Sequence, residues 1–412
     1  MKSDLPALMK TRNLDALLIF GDALHNPPMV YFTGVHHVTE ALLVIKRGEE
    51  PLLFSHNMER DEAAATGFAT RSVTDYRFRD ILKESNDDFA LASARMLQRM
   101  LTDAGVTKGR AAVYGKRDAG QAFGLLGTIT ELLPELEIVG EIHDSVLTEA
   151  RATKDAAEVE RIRAVQKQTT EIVGQVADFL SRQRANDGVL VDKDGKPITV
   201  AKVKSKINLW IAERGLDNPE GTIFAPGAEG GVPHSMGSPD AVLRVGEPIV
   251  FDIFPKEAGG GYWSDFTRTW CLGYATDAAQ ALYDDVRFVY DTLISEIHAD
   301  ERCAVFQART CELFKQRGHP TVNEDPTTNV GYVHSLAHGL GLDVHESPGF
   351  YGDPKTAKDF LRRGHVITVE PGLYYPERGM GMRIEDAVHI GPEGKPEILA
   401  TYPLDLVIPL KS

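Results

Sequence analysis

Five residues able to bind metal ions or carry protons stand at or near the ends of strand-like runs in the second half of the chain. Asp252 sits in Val-Phe-Asp-Ile-Phe, Asp265 in Ser-Asp-Phe-Thr-Arg-Thr and His338 in Ala-His-Gly-Leu-Gly-Leu-Asp-Val-His-Glu. Glu370 sits in Ile-Thr-Val-Glu-Pro-Gly and Glu385 in Met-Arg-Ile-Glu-Asp. Asp252 and Glu370 interrupt strongly apolar runs, where an ionised carboxylate is costly unless it is paired or bound to metal. Several such groups brought together repel one another unless cations lie between them. One imidazole and four carboxylates form a donor set suited to two divalent first-row ions. Each residue alone has a plainer reading. A carboxylate at a strand end is commonly a turn or solvent residue. His338, among small residues, reads as a structural histidine, and Glu385 beside Arg383 as half of an ion pair. The metal reading requires that the five converge in space, which spacing along the chain does not determine.

The elements that must position them fall into two blocks. In the first, Leu14–Phe20 reads as a buried strand, and Ala41–Ile45 and Pro51–Ser55 as strands around the turn Lys46–Glu50. Asp88–Ala104 has apolar residues at helical spacing, Ala111–Tyr114 reads as a strand and Gln121–Leu133 as a helix. This is an α/β layered unit. The charged, Ala-rich stretch Leu147–Glu160 then leads into a helical pattern ending near Arg182 and marks a domain junction, giving domains 1–150 and 151–412. The pairs Asp187-Gly188 and Asp194-Gly195 around Val189–Val191 predict a surface hairpin. Helical spacing resumes over Val203–Arg214. Beyond Ile223, strand-like runs at Pro248–Phe254, Thr267–Leu272, His365–Glu370 and Ala387–Ile390 bracket helical stretches at Ala278–His298 and Arg302–Arg317. That order predicts an α+β domain with helices covering a curved sheet.

Composition narrows the function. With 412 residues and 42% hydrophobic content the chain can bury a large core in more than one domain. A formal net charge of −15 and a pI near 5.4 disfavour nucleic acid and anionic lipid as partners. Met1–Thr11 lacks the apolar run of a secretory signal, and no segment reaches the length of a membrane helix, so a cytoplasmic location is expected. The cysteines, Cys271, Cys303 and Cys311, are odd in number and sparse, which points to a reducing compartment and structural roles.

Taken in order, the pieces Pro233-His234, Phe251-Asp252, Tyr262–Thr269, His338–Glu346, Val369-Glu370-Pro371-Gly372 and Arg383-Ile384-Glu385-Asp386 resemble the pita-bread metallohydrolases. That group includes methionine aminopeptidase, aminopeptidase P, prolidase and creatinase. No single piece is specific, but the ordered set is. An α/β N-terminal domain of this size is similar to that of aminopeptidase P, prolidase and creatinase. The resemblance implies an α+β pita-bread catalytic domain behind an α/β creatinase-like N-terminal domain. It implies two divalent metal ions, with manganese first and cobalt, zinc or iron also compatible. Asp252 would bind one metal, Asp265 and Glu385 would bridge both, and His338 and Glu370 would complete the other. A bridging water or hydroxide would be the nucleophile, with Glu370 passing its proton. His234, His334 and His345 would hold the scissile carbonyl and the substrate ends. Arg383 matches an arginine near the site of proline-directed members, and Thr267 would orient a ligand carboxylate. The implied activity is hydrolysis of Xaa-Pro bonds in a small peptide, dipeptidase before aminopeptidase, by a homodimer.

Two departures keep other readings open. The Asp252–Asp265 connection, with Gly259-Gly260-Gly261, is longer than is usual in the peptidases, and Phe254 stands where they often have Gly. A small-molecule lyase or amidinohydrolase on the same scaffold is one alternative, and a non-catalytic peptide-binding module is another. Retention of every ligand position and the flanking histidines disfavours the last. His36 and His37 read as surface residues, and Trp263 as packing.

Overall fold

The computed structural model describes residues 3–411. The chain divides into two compact units, Met1–Arg151 with Gly259–Gly261, and Ala152–Ala258 with Tyr262–Ser412. The glycine tip of the Asp252–Asp265 connection thus belongs to the first unit, although the sequence pattern placed it in the second domain.

The first unit is built on a six-stranded sheet. Its strands lie in the spatial order Ala69–Ser72, Leu52–Ser55, Ala41–Lys46, Ala16–Gly21, Gly109–Gly115, Leu136–Val139. The central strand Ala16–Gly21 is apolar along its length because both faces are covered. Leu17 and Ile19 pack into one cluster with Leu43, Ile45 and Leu53. Leu18 and Phe20 point the other way, with Leu42, Val44 and Phe54. The period of two in side-chain direction thus builds two cores from one strand.

The second unit holds two five-stranded sheets, each backed by its own helices. Thr222–Pro226, Pro248–Ile253 and Phe266–Ala275 pair antiparallel. They pack against the helices Ala156–Ser181 and Val200–Glu213 through Val165, Ile172, Val203, Ile207, Phe251 and Trp270. Val366–Val369 and Asp386–Ile390 belong to the other sheet and pair antiparallel. Asp277–Glu296 and Cys303–Gln316 cover it through Val286, Leu293, Phe314, Ile367 and Val388. Arg184–Asn186 and Val189–Val191 form the expected hairpin around Asp187-Gly188. All three cysteines are free and buried. Burial pushes their thiols up, that of Cys311 to about 11. Among the described residues, no helix is long and apolar enough to cross a membrane.

The helix Ala156–Ser181 opens on a capping box, in which the Asp155 side chain accepts the backbone N–H of Glu158 and the Glu158 side chain accepts that of Asp155. Asp155→Ala is expected to lower the denaturant midpoint by the equivalent of about 1 kcal/mol. An unchanged midpoint in a urea titration would show that packing alone sets this helix start.

Candidate metal centre

Strand register assembles the centre. Asp252 lies opposite Thr267 in the ladder between Pro248–Ile253 and Phe266–Ala275. Thr267 in turn bridges to Glu385, whose N–H donates to the Thr267 carbonyl at 3.1 Å. The Thr267 hydroxyl donates to Glu385 Oε2 at 2.7 Å. Asp252, Thr267 and Glu385 therefore form one row across two strands and the residue that precedes the strand Asp386–Ile390.

The second sheet delivers His338 and Glu370. Gly339 pairs with Ile367, and the Glu370 N–H donates to the Leu336 carbonyl at 2.9 Å. The Thr368 hydroxyl donates to Glu370 Oε1 at 3.3 Å, as Thr267 does to Glu385. Ligand atoms of Asp265, His338 and Glu385 all lie within 4.8 Å of one another. His338 Nε2 is 3.3 Å from Glu370 Oε1 and 3.6 Å from Asp265 Oδ2. Asp252 Oδ2 faces Arg383 Nη2 at 2.7 Å. Its Oδ1 is buried with no hydrogen-bond partner among the described residues.

The electrostatics follow from this crowding. Burial, then the charges of Asp252 and Glu370, pushes the Asp265 carboxyl well up. Burial, then Asp265, Glu370 and Asp252, does the same to Glu385. Glu370 is raised to about 8, chiefly by burial and against the pull of Arg383. Burial lowers His338 to about 3, aided by His345, so its imidazole is neutral with a lone pair to offer. Buried carboxyls crowded in this way are groups whose charged form a divalent ion stabilises.

The flanking residues sort by contact. His345 stacks edge-on to His338, with ring centroids 4.3 Å apart. His334 Nδ1 faces the Ser335 carbonyl at 2.7 Å, and its Nε2 lies 2.8 Å from the Tyr374 hydroxyl. His234 is exposed, and its charge would reach both His334 and His345. Arg383 is buried and donates to Asp252, to the Tyr374 hydroxyl at 2.7 Å and to the Thr267 hydroxyl at 3.2 Å. Trp263 does more than pack, for its N–H donates to the Gly341 carbonyl and its indole Nε1 to that of Leu342. His36 and His37 lie beside Glu62.

Sequence reasoning missed Tyr374 and Gln166. Tyr374 joins Arg383 to His334, and no sequence pattern marks it, since its role depends on how Gly372–Tyr375 pairs with Met380–Arg383. Two glycines of the His-Gly-Leu-Gly run are required by close approach. A Cβ on Gly339 would fall 2.1 Å from the Ser347 carbonyl oxygen, and one on Gly341 would fall 2.2 Å from the Glu346 carboxylate. Glu346 uses that space to meet Lys154 at 2.5 Å in a pair that is almost fully buried.

Residues 136–392 match the model of metallopeptidase family M24. An uncharacterised peptidase of Bacillus subtilis, YqhT, is 27% identical over 267 residues, 65% of this chain and 70% of that protein. A Xaa-Pro dipeptidase of Pyrococcus furiosus is 29% identical over 201 residues, 48% of this chain and about half, 53%, of that protein. The crystal structure of a dipeptidase from Pyrococcus horikoshii superposes with a TM-score of 0.74 at 22% identity, covering 98% of both chains. The fold is thus the pita-bread fold expected from the motifs, and the chain belongs to metallopeptidase family M24.

The family implies divalent metal ions, and the residues present fit them. The unpartnered Asp252 Oδ1 and the neutral imidazole of His338 offer lone pairs, and the crowded, buried carboxyls of Asp265, Glu370 and Glu385 offer charge. Manganese added to metal-free protein at a hundredfold excess over Kd is expected to stabilise it by about 2.7 kcal/mol per site, or roughly 5 °C in Tm. A melting temperature that ignores manganese would rule these residues out as a metal centre.

Proposed function

We propose that this protein is a Xaa-Pro dipeptidase, hydrolysing the bond before proline in a small peptide with two divalent metal ions. The observation that carries the reading is the crowding of Asp252, Asp265, His338, Glu370 and Glu385 together with the unpartnered oxygen of Asp252. The name of the Pyrococcus furiosus relative supports the substrate class. Asp252 and Arg383 share a hydrogen bond, so the arginine orients this carboxylate as well as balancing its charge.

When bound, the ions would polarise the scissile carbonyl and lower the pKa of a water toward neutrality. Glu370 would take a proton from the attacking water and pass it to the departing proline nitrogen. Asp252, Asp265, His338, Glu370 and Glu385 would hold the ions. His345 and His234 line the approach, where imidazole N–H groups would hold the carbonyl and the substrate ends and stabilise the tetrahedral intermediate, while His334, its Nδ1–H given to the Ser335 carbonyl, shapes the wall beside them. Arg383 and Tyr374 brace this wall through the Tyr374 hydroxyl. A tertiary Xaa-Pro amide has no N–H, so selectivity rests on pocket shape. The reading carries with it manganese as the working metal, a homodimer as the assembly and the cytoplasm as the compartment.

The decisive assay offers manganese-loaded enzyme a Xaa-Pro dipeptide and a Xaa-Pro-Xaa tripeptide side by side. Cleavage of the dipeptide alone is expected. Cleavage of the tripeptide would make the enzyme an aminopeptidase, and manganese binding without cleavage of either would transfer the site to a lyase or another small substrate. Asp265→Ala is expected to abolish turnover while the circular dichroism spectrum is retained. Wild-type turnover in that variant would overturn the mechanism.

A further inference from the structure

Asp265 stands outside any strand ladder. The pairing of Pro248–Ile253 with Phe266–Ala275 ends at Ile253 and Phe266, one residue beyond it. Glu385 and Glu370 also lie just past their strands, but each bonds through backbone to a neighbouring segment, to Thr267 and Leu336. Asp265 is served differently. Gln166, on the helix Ala156–Ser181, donates from Nε2 to the Asp265 carbonyl at 2.9 Å. Its Oε1 accepts the Asp265 N–H at 3.2 Å and the Ser264 hydroxyl at 2.6 Å. Gln166 and Ser264 are both fully buried.

One side-chain amide therefore grips both peptide groups that flank the Asp265 Cα. A glutamine that bonds the N–H and the C=O of the same residue imitates a neighbouring strand. The orientation of those two peptide planes fixes the direction of the Asp265 side chain. Gln166 occupies a buried face of the helix, beside Val165, Ile162 and Thr169. A polar group is placed in such a core only with its hydrogen bonds met, and here both ends of the amide are met by the Ser264-Asp265 segment.

We infer that Gln166 is a positioning residue for the metal centre: from the helix it takes the place of the missing strand partner and aims the Asp265 carboxylate between the two ion positions. The inference rests on the reading of Asp265 as a metal ligand. It ties the order of the helix to that of the centre, so loss of the amide loosens the shared site before it loosens the fold.

The test is calorimetric titration of metal-free full-length protein with manganese(II) chloride, for wild type, Gln166→Met, Gln166→Glu and Ser264→Ala. Gln166→Met keeps length and loses every bond. It is expected to bind the weaker ion about tenfold or more less tightly, within the usual range for residues that orient ligands. The exchange-coupled dimanganese signal in electron paramagnetic resonance should fall with it, and kcat should drop with KM within about twofold. Gln166→Glu keeps the acceptor and places an oxygen against the Asp265 carbonyl, so it should fall as far. Ser264→Ala should lose less, because it leaves both Asp265 bonds intact. If Gln166→Met does not fold, the other two variants decide. Two ions bound at wild-type affinity by Gln166→Met, or by Gln166→Glu where only that variant folds, would overturn the role of Gln166 alone. Wild type that binds fewer than two ions would overturn this role and the metal-centre reading together.

Discussion

Buried carboxylates a few ångströms apart repel, and the repulsion between Asp252, Asp265, Glu370 and Glu385 is the constraint on which the second unit is organised. A single fixed cation, Arg383, reaches Asp252 directly, and burial beside like charges pushes the other three carboxyls up. A chain that only needed stability would place leucines there. Retaining such a cluster makes sense where exchangeable cations do the neutralising. Around it the Thr267 and Thr368 hydroxyls and the Arg383 guanidinium donate to carboxylates, and the Gln166 amide both donates to and accepts from the backbone of Asp265.

The two halves of the catalytic unit solve the same mechanical problem twice. Each has a short antiparallel sheet, a helical cover and a threonine whose hydroxyl meets a glutamate. The halves meet where Thr267 exchanges backbone bonds with Glu385. Rigid strands thus fix the lateral positions of the ligands, while the ligands themselves lie at strand ends, where side chains are free to turn inward. The loop bearing His345 is less regular, and it is held by the Lys154–Glu346 pair and by the bonds from Trp263.

Much of this was legible in the residue order, for identifiable reasons. The runs around Asp252 and Glu370 are apolar enough to read as buried strands, and a charge inside such a run draws notice at once. The long helices announced themselves by apolar spacing. The strand Ala69–Ser72 did not, because its residues are mostly exposed and it lies at the sheet edge. Tyr374 and Gln166 were invisible for a different reason. Their partners lie 9 and 99 positions away, and register and helix rotation decide both meetings. Nor does anything in Gly259-Gly260-Gly261 reveal that this tip groups with the first unit.

The Lys154–Glu346 pair has a consequence for how this chain can change over generations. Its side chains are 1% and 6% exposed, and loss of either partner strands a charge in the core at a cost of roughly 3–5 kcal/mol. Gly341 is bound into the same arrangement, since any side chain there would collide with the glutamate. Lys154 and, at the other end of a 192-residue separation, Glu346 with nearby Gly341 are thereby inherited as one character. Descendants can abandon the trio through a coordinated set of replacements, but stepwise drift at any one of them runs into a barrier.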